Sequence, residues 1–574
     1  MRRLLSVLSL CAALAAQEPV SPFRFVPADS CLVVRVGAPA RWKEHFKKTQ
    51  VAKLFSAQTL APLVQQAAAA IDAGMEKARS SGKMDVDVLQ RFFADYKGEM
   101  VMSLQIDFAA LPAAIESGDG PPISAVIALA PDGSFDLAAL ATAIEKSIEA
   151  EIGDRHPITD LVVGEHRLRA SINKDGMPTT LPAMIDGHFV MVMSHDLDQN
   201  AARLLGTADR FTGKIDGRPL FVHAKLEQAM EALMKAVAAR MDAQGAPFDV
   251  VQMLRSIGLG SLHAVELALG AEDKHVVGEL DLTLGDGERG LLGMAMFEQG
   301  SPKLLRCVPA SAESFSVRAL DLGAAFRTIA TIWGAMGDAV PMTFDQVQTA
   351  FTEATKVRLK EDLVDHLGTE LLMVGDVETP SDASASEDLE QNPAAAMFRG
   401  SCFGISLRDG KAFGESLEKV IRSRGLHAGR KSEDYLDSKI HRLRLAAVVE
   451  LEYVVTDDLL LLVIGNDESS RRNLRAVLDA RARKDATLPA AVQTHLAAMP
   501  AGWSSVTLTP MAQTMRSLST AFTALQQVAD APEGLSMVIQ VMQGLAGDMK
   551  RLGIENMVGA TYTTARSYVS RFRW

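Results

Sequence analysis

One set of charged residues occurs twice: His166-Arg167-Leu168-Arg169 and His441-Arg442-Leu443-Arg444 are identical tetrapeptides far apart in the chain. On an extended strand alternate side chains share a face, so Arg167 stands beside Arg169, and Arg442 beside Arg444. Two adjacent guanidinium groups suit bidentate capture of a carboxylate or phosphate, which makes these four arginines candidate binding residues for an anion or a partner. The same pattern equally serves cross-strand ion pairs on a solvated face, with the leucine in the core.

Other constellations are thinner. Ser194-His195-Asp196 combines nucleophile, base and acid types, but three consecutive residues do not converge as a triad must. A helix cap at Asp196, with Gln199 three residues on, accounts for it. Asp362, His366 and Glu370 are spaced by four and on a helix would offer metal ligands from one face. Gly368, however, breaks that spacing and places Glu370 at the start of a strand. No H-E-x-x-H, G-x-S-x-G, Walker-type loop or C-x-x-C pair occurs in the 574 residues. No catalytic residue, metal or cofactor is therefore assigned. The 26 methionines, beside five tyrosines and four tryptophans, suit ordinary core filling or an adaptable apolar groove.

The elements that must position these residues follow from a pass along the chain. Arg2 and Arg3 precede an apolar run, Leu4 to Ala16, with small residues at Ala13 and Ala15. That is the pattern of a secretory signal peptide over residues 1–16. Leu10, in the position before Cys11, is not the small residue that a lipoprotein signal places there. The densest later apolar run, Leu459 to Ile464, has six residues, too few to span a bilayer. The formal net charge of −12, more negative once Arg2 and Arg3 are removed, disfavours nucleic acid and anionic membranes as partners. The expected location is the periplasm, the cell envelope or the extracellular space. Cys31, Cys307 and Cys402 remain after cleavage, an odd number, so 48% hydrophobic content and core burial must carry stability rather than a disulfide scaffold. A Cys31–Cys307 bridge and three separate thiols both stay open.

Segments of the two halves match in order. Val26-Pro27-Ala28 with the run Cys31 to Val36 is answered by Val308-Pro309-Ala310 with Ser314 to Arg318. Gly98 to Met102 corresponds to Gly368 to Met373, and Ala125 to Leu129 with its Asp132-Gly133 turn corresponds to Phe403 to Leu407 with Asp409-Gly410. Amphipathic helices follow both turns. Asp186 to Met193 and Asp457 to Ile464 read as later strands, and Gly258 and Gly553 stand where a helix C-terminus favours glycine. These matches predict an internal duplication: residues 17–300 form one repeat unit and residues 301–574 a second. Strands joined both by short turns and by helices predict an α+β fold of two tandem repeats, each a mixed or mainly antiparallel sheet covered by helices. Hairpins are expected over Val265 to Leu284, turning at Gly270 to Asp273, and over Glu452 to Ile464. Residues 378–391, acidic and rich in small residues, read as a disordered surface loop.

The opening Phe25 to Val36 (FVPADSCLVVRV) and the later Asp186 to Asp196 (DGHFVMVMSHD) resemble uncharacterised exported bacterial proteins of the DUF-three-three-five-two type, a domain of unknown function. In those proteins a Pro-Ala-Asp strand starts the domain and an Asp-Gly strand leads into a helix. The resemblance covers most of the first unit. In the second it is fainter, because Asp457-Asp458 stands in place of Asp-Gly. It implies an exported protein and supplies no catalytic residue. The expectation is a non-catalytic envelope or periplasmic protein that binds a protein, peptide or apolar ligand. The alternatives are a hydrolase of unrecognised type and a purely structural envelope component.

Overall fold

The computed structural model describes residues 21–574 apart from 82–84, 112–121, 153–157, 164–165, 173–177, 195–200, 202–204, 206–209, 212–216, 244–248, 287–288, 296–299, 376–399, 445–449, 466–467, 484–487, 498, 500–501, 517–518, 520–522, 524–534, 555 and 565. The signal segment, the expected loop at 378–391 and the Asp196 cap lie outside the described residues.

In chain order the first strands are β1 (Leu32–Gly37), β2 (Glu99–Ile106), β3 (Ile123–Leu129), β4 (Thr159–Val163), β5 (His166–Ile172), β6 (Pro178–Thr180), β7 (Ala183–Ile185), β8 (His188–Ser194), β9 (Leu220–Lys225), β10 (Leu262–Glu272) and β11 (His275–Leu284). There follow β12 (Ser314–Ala319), β13 (Leu367–Gly375), β14 (Ser401–Leu407), β15 (Lys431–Tyr435), β16 (Ser438–Arg444), β17 (Glu450–Val455), β18 (Leu459–Ile464), β19 (Ser505–Pro510), β20 (Asn556–Thr563) and β21 (Ser567–Arg573). The pairings are antiparallel. Hydrogen-bonded neighbours run β4-β5-β6-β8-β3-β2-β1-β9-β10 in the first set, with β7 also on β8. In the second they run β15-β16-β17-β18-β14-β13-β12-β19-β20-β21. Among the described residues β4 and β15 each have one neighbour, so the sheet is open.

This architecture corrects the expected fold class of two tandem repeats, each with its own sheet. The strands form a single large antiparallel sheet. Two compact units are present, residues 1–56, 60–232 and 264–278 in one, and residues 57–59, 233–263 and 279–574 in the other. β10 and β11 each begin in one unit and end in the other. The physical reason lies in their length. At 11 and 10 residues they span the segment Val265 to Leu284 that the sequence reads as a hairpin of the first repeat, but the end of β11 belongs with the second unit. The far half of β11 then lies beside β21, where Arg571 Nε donates to Glu279 Oε2 at 2.6 Å and the Leu284 N–H donates to the Arg566 carbonyl at 2.8 Å. Pairing there satisfies backbone groups that a separate sheet would leave as an open edge. The connection turns at Asp273-Lys274, where Asp273 takes a positive φ of 51°, rather than at Gly270 to Asp273. The Glu452 to Ile464 hairpin forms as expected from β17 and β18.

The core of the second unit lies on one sheet face. Leu461, Gly404, Leu372, Val317 and Val506 stand opposite one another across five strands, beneath Leu474, Val477 and Leu478 of a helix, Glu468–Ala482. Gly404 is tightly packed: a Cβ there meets Leu372 Cβ at 3.1 Å and Leu461 Cδ2 at 3.2 Å, so a neighbour would have to give by a few tenths of an ångström. In the first unit one side of the ladder carries Val33 and Val101, packed by Phe23, Val26 and Phe211. Val126, Val190 and Val192 there pack with Phe25. Gly258 (φ 100°) and Gly553 (φ 68°) end their helices in the left-handed region, as a C-terminal glycine does.

Candidate functional site

The repeated arginines stand on β5 and β16, and their guanidinium groups meet the chain's own carboxylates. Arg167 pairs with Asp160 on β4. Arg169 pairs with Glu145 and, at 2.7 Å, with Glu149, both on α1 (Leu137–Ile152). Arg442 Nε and Arg471 Nε each donate to Glu452 Oε1 at 2.6 Å, and Glu452 is only 3% exposed. Arg444 faces Glu450 in the register of β16 and β17. Arg167, Arg169 and Arg442 thus tie strands and helices together.

The remaining sequence candidates are dispersed. Ser194 is buried, its Oγ 3.1 Å from Ser124 Oγ, while residues 195 and 196 lie outside the described residues. Asp362 sits in a π-helical turn and binds Arg358 at 2.9 Å, and Glu370 lies on β13 and accepts the Leu304 N–H at 2.8 Å. No group of three or more His, Cys, Asp and Glu suited to a metal occurs among the described residues. Cys31, Cys307 and Cys402 are free thiols, and burial pushes Cys307 up to about 11.

Two features that sequence reading missed bring chemically active groups together. Ser432 Oγ lies 2.8 Å from His441 Nδ1 across β15 and β16, a nucleophile–base contact. Burial, followed by Arg430, holds His441 below its ordinary value, so the imidazole is neutral. Glu418, the carboxylate beside it, is taken up by Arg430 and by Arg422 at 2.8 Å, so it does not orient the ring. The pair is a cross-strand hydrogen bond at the sheet edge. A crevice of about 440 Å³ lies between residues 58–59 and one face of the helix Leu535–Leu552. Its acid, Asp548, accepts the Thr59 N–H at 2.9 Å and pairs with Arg551 at 2.5 Å. Burial raises this carboxyl, but the Thr59 hydrogen bonds and Arg551 outweigh it and leave it below its ordinary value. Gly544 packs so closely that a Cβ there meets Thr59 Oγ1 at 2.5 Å. The crevice is a packing joint whose acid is already engaged.

The remaining candidate is a face of the first unit's sheet. Residues directly opposite in an antiparallel ladder point to the same side. Across β8, β3, β2, β1, β9 and β10 one such row reads Met191, Ile127, Met102, Val34, Val222, Leu267. The next row on one side reads Met193, Ala125, Leu104, Leu32, Ala224, Val265. On the other side stand Phe189, Leu129, Met100, Val36, Leu220, Leu269. All eighteen are apolar. At one end Phe189, Leu129, Met100 and Met191 pack against Val88 and against Leu137 and Leu140 of α1. Elsewhere the face reaches solvent: Met102 is 39% exposed, and Leu32, Val34, Leu104, Val222 and Leu267 are half-buried. The matching rows of the second unit are interrupted by Ser316, Thr507, Arg318, Ser505 and Thr561. A signal for this face was present in the sequence. Runs such as Ala125 to Leu129 are apolar at every position, the mark of a strand meant to meet apolar matter on both sides.

The fold thus defines a large open antiparallel sheet with helices, carrying one apolar, partly solvent-facing side. No helix among the described residues is long and apolar enough to cross a membrane. No family model matches the chain, and no curated protein matches it. Among solved structures, TP0453 in crystal form I gives a TM-score of 0.22 at 12% identity, covering 47% of this chain and 80% of that one. Crystal form IV gives 0.22 at 9% identity, covering 46% and 81%. Likeness at this level carries no argument about function.

Proposed function

We propose that this chain is an exported, non-catalytic binding protein of the periplasm or cell envelope, built by internal duplication, whose ligand is apolar and lies on the sheet face around Met102. Export is supported by the Arg2-Arg3 and Leu4 to Ala16 pattern, and by the resemblance of Phe25 to Val36 to exported proteins of the DUF-three-three-five-two type. Duplication is supported by the strand order, in which β1, β2, β3, β8, β9 and β10 have the same neighbours as β12, β13, β14, β18, β19 and β20.

The observation that carries the binding reading is the uninterrupted apolar row centred on Met102. Apolar area left in water is unfavourable by roughly 25 cal/mol per Å², so covering it drives association. Titration of the mature protein with the dye 1-anilinonaphthalene-8-sulfonate, followed by fluorescence, tests this. Saturable binding is expected in the wild type and is expected to be lost in Met102→Asp. Binding that does not saturate, or that survives the substitution unchanged, overturns the reading.

A further inference from the structure

We infer that the occupant of this face is the hydrocarbon chain of one free long-chain fatty acid, an inference that rests on the apolar-face reading above. The part of the face outside the helix-packed end runs from Met102 through Val34 and Val222 to Leu267. These are three interstrand spacings, about 14 Å. From the Leu32 row to the Val36 row is four residues along a strand, again about 14 Å. The resulting area, on the order of 200 Å², falls well short of the roughly 800 Å² per partner that a stable protein interface buries. A second copy of this chain or a folded partner is therefore a poor match. One acyl chain, about half the ~30 Å hydrocarbon thickness of a bilayer in length, fits the span.

Polarity selects in the same direction. None of the eighteen side chains in the three rows offers a hydrogen-bond donor or a strong acceptor. An extended peptide laid on them leaves the N–H and C=O groups turned toward the sheet unpaired, at a cost that hydrocarbon does not carry. The net charge of −12 opposes an anionic bilayer surface, which favours a detached chain over a membrane as the source. Met102, flexible and polarizable, conforms to a chain that bends. The fatty-acid carboxylate remains in water.

The test is fluorescence titration of the full mature chain with cis-parinaric acid, with displacement by palmitic and by octanoic acid. The expected result is one saturable site, with palmitic acid displacing the probe at a concentration at least about tenfold below octanoic acid, since each buried methylene adds to affinity. Met102→Asp is expected to weaken binding about tenfold or more. Val34→Thr, nearly isosteric and compatible with a strand, weakens it in the same direction and guards against misfolding of the aspartate variant. Met373→Asp, at an exposed methionine of the second unit, leaves binding unchanged. Displacement independent of chain length, with dye binding still lost in Met102→Asp, overturns the acyl-chain inference and leaves the apolar-face reading standing. Failure of both probes to bind overturns both. Equal loss in Met373→Asp overturns the location.

Discussion

Glu452→Ala removes the carboxylate on which Arg442 and Arg471 converge, each donating at 2.6 Å to Oε1. Breaking a fully buried ion pair from one side costs roughly 3–5 kcal/mol, because the remaining charge is stranded. Here the acid is buried, but the arginine side chains are 32% and 23% exposed and recover part of their hydration once it is gone. The expected cost is accordingly lower, about 2–3 kcal/mol, two charge-assisted hydrogen bonds less that recovery. Glu450→Ala serves as the comparison. Its carboxylate is 31% exposed and pairs with Arg471 at 3.1 Å, so its loss should stay below about 1 kcal/mol. Hydrogen exchange read by mass spectrometry on peptides covering β16 and β17 measures the opening free energy locally. Exchange in Glu452→Ala should rise roughly 30- to 150-fold, against less than about fivefold in Glu450→Ala. A rise of less than about threefold in Glu452→Ala would show that the repeated arginines do not hold this hairpin, and would reopen their role as a binding pair.

Two further predictions concern pH. Burial, then Arg573, pushes His495 down to about 4. The folded chain therefore keeps this imidazole neutral while the unfolded chain takes up its proton below about pH 6.5, so stability is lost as pH falls from about 6.5 towards 4, by roughly 3–4 kcal/mol at most. NMR titration of the His495 ring should give a midpoint near 4, and a midpoint above 6 contradicts the burial argument. Asp548 runs the opposite way, its carboxyl held below its ordinary value by Thr59 and Arg551 despite burial. Its contribution is complete above the unfolded carboxyl range near pH 4 and is lost as pH falls through the lower folded value. Asp548→Asn should flatten that acid limb in chemical denaturation followed by circular dichroism, and an unchanged limb refutes the assignment.

Local features were legible in the sequence because they depend on neighbouring residues. The His166 and His441 tetrapeptides fall on strands, β17 and β18 form the expected hairpin, and Gly258 and Gly553 end their helices. What the arginines touch was not legible, since Glu145, Glu149 and Arg471 come from helices that the sequence does not place beside them. Asp362 and His366 failed as a shared helical face because the chain there makes one π-helical turn and then a 3-10 turn. The single sheet was hidden for a similar reason: whether β11 ends a repeat or lies beside β21 depends on a partner almost 300 residues away. The apolar face required register. A slip of one residue moves every side chain to the other face, so Met102, Val34 and Val222 become one row only once the pairing is known.

Photolabelling tests most directly whether an apolar ligand lies on the first unit's sheet around Met102. A diazirine-bearing fatty acid is bound to the mature protein, irradiated, and the labelled peptides are mapped by mass spectrometry. Labels concentrated on Leu32–Gly37, Glu99–Ile106 and Leu220–Lys225, and suppressed by excess palmitic acid, are the predicted result. Labels concentrated on Ser314–Ala319 and Leu367–Gly375 of the second unit, or spread evenly without suppression, would contradict it.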